Sequence, residues 1–158
     1  MSKLKSAGLH QIAALELSEF VTRLGSVAPT PGSGAAAAVA LALAAACAAK
    51  AFAISVRHAA NPKLDAAADH ARSIAAIAME GAQRDADDFR DWLASHDSQT
   101  VKALRDDARA LFALASQLMK LIVDNEAMVV ASLRADTDAA RDLANAFMAI
   151  ERRNLGTL

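Results

Sequence analysis

The chain has 158 residues, 54% of them hydrophobic and 22% charged, which excludes disorder and fits one domain, residues 1–158, with more apolar side chain than a small monomer needs. Seventeen Lys and Arg against 18 Asp and Glu leave a net charge of -1, so no basic field exists for nucleic acid or an anionic membrane, and neither partner is expected. A single cysteine and no signal-peptidase pattern after Met1 to Gly8 point to a reducing, cytoplasmic setting.

Ile12, Ala13, Leu17, Phe20, Val21 and Leu24 recur at three- and four-residue steps and predict a first helix from about His10 to Leu24, ended by Gly25. The segment Pro29-Thr30-Pro31-Gly32-Ser33-Gly34 then breaks regular structure. An alanine-rich second helix follows from about Gly34 to Ala59. Its length could span a bilayer, but alanine gains little in lipid and Lys50 falls inside the run, so it reads as a buried central helix whose small side chains let neighbours approach closely. Cys47, within this run, reads as a small packed side chain. Asn61-Pro62 is an N-cap followed by proline at the first helical position, and predicts a long third helix to about Leu93. Ser95-His96-Asp97-Ser98 interrupts it. A fourth helix is expected from about Gln99 to Leu133 and a fifth from about Thr137 to Arg153, capped by Asp136. No alternating pattern or hairpin turn suggests a strand. The expected fold is an all-α antiparallel bundle of about five helices around the alanine-rich one.

Placing each helix on a wheel of about 100° per residue singles out polar residues on apolar faces. On the third helix Asp85 falls near the middle of the stripe of Ile74, Ala78, Ala82, Phe89 and Trp92, whereas Asp87 and Asp91 point away. On the fourth, Glu126 falls on the stripe of Leu111, Leu118 and Ile122. On the fifth, Leu143, Phe147 and Ile150 set a direction that Asp136 and Asn154 share. A carboxylate placed inside must be paired, hydrogen-bonded or shifted in pKa, and a raised pKa suits proton transfer. Asp85 is therefore either an acid/base or half of a structural pair with Lys50, Arg57 or His58, and Glu126 carries the same alternatives. Lys50 either extends its ammonium to solvent or meets a ligand carboxylate. No two histidines have the spacing of a metal site, and no metal is expected.

The segment Pro29 to Gly34 feeding an alanine-rich helix resembles the signature of the cyclodeaminase/cyclohydrolase family, which includes formiminotetrahydrofolate cyclodeaminase and methenyltetrahydrofolate cyclohydrolase. Two further stretches follow in the family's order. Arg84-Asp85-Ala86-Asp87-Asp88-Phe89 resembles its acidic segment, with Phe89 in place of a usual tyrosine, and Asp136 and Asn154 resemble the Asp and Asn that bracket a later helix. Ser33, Gly34 and Ala35 stand where the family usually has a third glycine and a serine, and Lys50 where it has a methionine.

The resemblance implies a dimeric or higher homo-oligomeric helical protein with no permanently bound cofactor and a tetrahydrofolate derivative as substrate. The implied reaction is closure of 5-formiminotetrahydrofolate to the 5,10-methenyl form with loss of ammonia, or hydrolysis of the methenyl bridge. Asp85 would then be the acid/base, and Gly32, Ser33 and Gly34 would line the ligand. Asp136 and Asn154 would bond its polar edge, and Lys50 or Arg57 would meet a glutamate carboxylate. The competing expectation is a noncatalytic helical binding protein or subunit that kept the fold.

Overall fold

The computed structural model describes residues 11–157, and the start of the first predicted helix near His10 lies outside them. Among the described residues there is no strand: five α-helices, α1 (Leu17–Leu24), α2 (Ser33–His58), α3 (Pro62–Ser95), α4 (Ser98–Asn125) and α5 (Arg134–Thr157), are joined by short turns. The all-α bundle around an alanine-rich helix is the expected one.

α2 is central because its side chains are small on several sides at once. Ala37, Ala38, Ala44, Ala45, Ala48 and Ala51 are buried, as are the alanines that face them from α3 (Ala68, Ala71, Ala78, Ala82) and α5 (Ala140, Ala144). Phe52 and Phe147 supply bulk where the alanines leave room. α2 is long and apolar enough to cross a membrane by length and composition, but it packs here between α3 and α5. An outer strip remains open, with Leu43 half-exposed and Ala46 and Lys50 exposed.

The helix ends follow local chemistry. The Asn61 side chain accepts from the Lys63 and Leu64 backbone N–H groups at 3.0 and 3.3 Å, with Pro62 at the first helical position as expected. His96 closes α3 in the left-handed region (φ 51°), and Asp97 caps α4 by accepting from Gln99 N–H.

Three expected boundaries are corrected. The first helix is split: a 3₁₀ turn at Ile12–Ala14 precedes α1, and the Ile12 N–H donates to Gln83 Oε1 on α3 at 2.7 Å instead of continuing a ladder. The fourth helix ends at Asn125, not Leu133. Two 3₁₀ turns, Glu126–Met128 and Ala131–Leu133, carry the chain back, pinned by the Val130 N–H on Ser55 Oγ (3.1 Å) and by buried Val129 and Leu133. α5 then starts at Arg134, so Asp136 lies in its first turn and is not the N-cap.

Candidate functional site

α2 and α5 run antiparallel, so the N-terminus of one meets the C-terminus of the other. The Ser33 hydroxyl donates to Asn154 Oδ1 at 3.0 Å, and the Asn154 amide donates to Glu151 Oε1 at 3.2 Å. α3 passes the same point and contributes Asp85. These side chains, with Pro29, Gly32, Gly34 and Phe89, line a cleft of about 210 Å³ closed on the α4 side by Leu104 and Ala108. The Pro29–Gly34 turn thus places the start of α2 at the cleft; the Thr30-Pro31 peptide bond within it is cis.

Gly34 is required there by a close approach. A Cβ at this position would lie 2.1 Å from Asp85 Oδ1 and 2.5 Å from its Cγ, so the Asp85 carboxyl occupies the space a side chain would fill. The expectation that Gly34 lines the ligand is refined accordingly: the group held against Gly34 is a carboxyl of the protein itself. From this position Asp85 faces the Ala35 N–H at the start of a 26-residue helix.

Burial pushes the Asp85 carboxyl up to about 6, against the Ala35 N–H, which favours the charged form, while Asp88 and Asp107 nearby push it further up. Glu151 is 4% exposed, and burial first, then the neighbouring Asp85 charge, push it up to about 7, with the Asn154 bond acting the other way. Among the described residues no cation pairs with either carboxyl. The structural-pair alternative for Asp85 therefore has no partner: Lys50 bonds to Asp136 Oδ1 at 2.9 Å instead.

The predicted residues separate into two groups. Asp85, Gly32, Ser33, Gly34 and Asn154 come together in the cleft. Lys50, Arg57 and Asp136 do not: Lys50 lies roughly 25 Å along α2 from Ser33 at 1.5 Å per residue, Asp136 is at the opposite end of α5 from Asn154, and Arg57 is exposed in the last turn of α2. The antiparallel packing of α2 on α5 puts these three at the far end of the bundle from Asp85. Glu126 is also corrected. The wheel that placed it inside assumes a helix continuing past Asn125; in the 3₁₀ turn it points outward and pairs with Arg141.

Glu151 is the residue the sequence reading missed. Its signal was present, because Ala140, Ala144, Phe147 and Glu151 follow at helical spacing and all are buried. Chemically the cleft is rich in acceptors and poor in cations, with two carboxyls whose protons are exchangeable near neutral pH. It suits a planar ligand that carries N–H groups or positive charge, such as an amidine, and a reaction that moves protons between nitrogens.

A model of the formiminotransferase-cyclodeaminase family matches residues 16–151, so the chain belongs to that family of folate-related cyclodeaminases. A search of the curated proteins finds no match to it.

Proposed function

We propose that the protein closes 5-formiminotetrahydrofolate to the 5,10-methenyl form with release of ammonia, with Asp85 as an acid/base. The observation that carries this reading is Asp85 itself: a carboxyl with no cation partner among the described residues, held against Gly34 at the start of α2, in a cleft it shares with Ser33 and Asn154. The formimino group is an amidine, and an acceptor-lined cleft with carboxylate charge favours it and the cationic methenyl product. Ring closure takes a proton from the attacking N10 amine nitrogen, which an ionised Asp85 can accept. Ser33 and Asn154 are placed to hold the polar edge of the ligand.

A tail carboxylate would not reach Lys50 or Arg57. A groove adjoins the cleft across the Ser33–Asn154 contact, walled by Leu24, Pro31 and Ile150 with Arg153 at its rim, and offers both an apolar floor for an aromatic ring and a cation for the tail. In the cell the protein works as a homodimer. The open strip of α2 supports this, since Leu43 is 49% exposed in the most apolar helix of the chain; sedimentation equilibrium should return the mass of two chains.

The test is a spectrophotometric assay for the methenyl chromophore with purified protein and 5-formiminotetrahydrofolate. Wild type should form it and Asp85→Asn should lose about 10²–10⁴-fold in rate while keeping its helical circular dichroism. No product above the uncatalysed rate, with no hydrolysis of the methenyl compound either, would assign the chain to noncatalytic binding.

A further inference from the structure

Glu151 has no part in the reading above, yet it is the most deeply buried ionisable side chain of the cleft, on a different helix from Asp85 and tied through Asn154 to Ser33. Both carboxyls line one cavity of about 210 Å³ and, among the described residues, neither has a cation. Two carboxyls in one low-dielectric space cannot both ionise easily, so such a pair holds one proton between them over a range of pH.

We propose that Glu151 is a second catalytic residue, which shares a single proton with Asp85 so that one carboxylate and one carboxylic acid face the substrate together. The inference rests on the cyclodeaminase reading. Asp85, which faces the Ala35 N–H at the helix N-terminus, holds the charge; Glu151, bonded to the Asn154 amide and to no backbone N–H, holds the proton. The formimino group enters in its protonated form, –CH=NH₂⁺; the N10 amine nitrogen bonds to the formimino carbon, and the electron pair of the C=N bond moves onto the terminal nitrogen, neutralising it. The proton on the attacking nitrogen passes to Asp85. Glu151 gives its proton to the terminal nitrogen, whose bond to carbon then breaks, and ammonia leaves with that electron pair while a ring nitrogen lone pair completes the methenyl cation. The pair ends with the one proton it began with, now on Asp85, and resets by exchange with solvent.

The charged groups that face this pair are few. On α3 Asp88 is itself raised, chiefly by burial, and on α4 Asp107 is engaged by Arg84 at 2.9 Å; from α5 Arg153 stands at the rim of the adjoining groove. α2 has no charged residue before Lys50.

Two measurements test the pair. The first needs no folate: carboxyl ¹³C NMR titration of the free protein, assigned with Asp85→Asn and Glu151→Gln. Coupling predicts that Asp85→Asn shifts the Glu151 midpoint down toward the ordinary carboxylate range; an unmoved midpoint overturns the pair whatever the enzyme does. The second is the pH profile of ring closure. A one-proton pair gives a bell. Glu151→Gln should lower the maximum about 10²-fold and remove the alkaline fall, leaving a single rise as Asp85 ionises, whereas a merely structural Glu151 would lower the rate with the bell intact, which would overturn the proposal. Coupled titration without turnover by wild type would sink the ring-closure reading and this catalytic role with it, leaving the shared proton as a property of the cleft.

Discussion

The two ends of the α2–α5 pair are built from similar residues and do opposite things with charge. At one end Lys50 bonds Asp136, and Arg141 holds both Asp138 and Glu126, so these three carboxylates each have a cation. At the other, Asp85 and Glu151 have none, and burial raises both. Paired surface charges contribute little and need little support, whereas unpaired buried ones persist only where the surrounding structure holds them. On the proposed reading the contrast separates an end whose charges are neutralised and add little from an end where protons can move.

The sharpest way to break this contrast is to displace Asp85 without touching it. In Gly34→Ala the new Cβ would stand 2.1 Å from Asp85 Oδ1, and since the carboxyl is the movable partner, it should swing out while the backbone, which has no positive φ at any described glycine, stays. Turnover should fall by about 10²-fold, the scale of a small misplacement of a reacting group. Stability should change little, because alanine in a helix gains about 1 kcal/mol over glycine. Gly81→Ala is the counterpart within α3. Its Cβ would meet Leu111 at 2.8 Å, so crowding of roughly 1–3 kcal/mol should appear in denaturant melts with turnover kept. Equal turnover losses in both variants would mean that the cleft answers to packing in general.

A smaller effect concerns pH and stability, and its sign follows from the raised carboxyls. Between the ordinary carboxyl range and about 6 for Asp85 or about 7 for Glu151, the folded protein keeps protons that the unfolded chain has released. The contribution of both groups to folding stability therefore falls as pH rises through that window and is fully unfavourable above it. Asp85→Asn and Glu151→Gln should each be more stable than wild type at pH 8, on the order of 1–3 kcal/mol and not additively, with the difference vanishing near pH 4. Urea melts at the two pH values measure it. Variants that are less stable at pH 8 would mean that the carboxyls serve packing.

How far this was legible in the sequence depended on what each signal measures. Asp85 was found because α3 runs unbroken from Pro62 to Ser95, so a wheel holds over its whole length. The end of α4 was missed because nothing between Asn125 and Arg134 is Gly or Pro; the turn is made by buried Val129 and Leu133 and by Ser55, which comes from a distant part of the chain. Glu151 was missed because the large residues Leu143 and Ile150 set the direction of α5, and both are only half-buried. Measured from the direction of Leu143 and Ile150, Glu151 lies about 90° off. Against the fully buried Ala140, Ala144 and Phe147 it lies about 10° from the centre. In a core built on alanine, size is a poor guide to which face is inside.

The least effect is expected at the paired end, which makes it the cleanest control. Lys50 is 59% exposed in its side chain, and its bond to Asp136 holds its ammonium above the ordinary lysine range. Lys50→Met keeps the stem that covers α2 and removes only the charge. Because the pair lies roughly 25 Å from Ser33 along the helix, neither the rate nor the pH profile of ring closure should move at a saturating folate concentration, and the melting transition should shift only marginally. A rise in KM with an unchanged maximum rate would place a ligand carboxylate at Lys50 after all. Within one chain the tail cannot bridge from the cleft to that end, so the result would put Lys50 of one protomer against the cleft of its partner, and the two ends of the α2–α5 pair would then belong to one site.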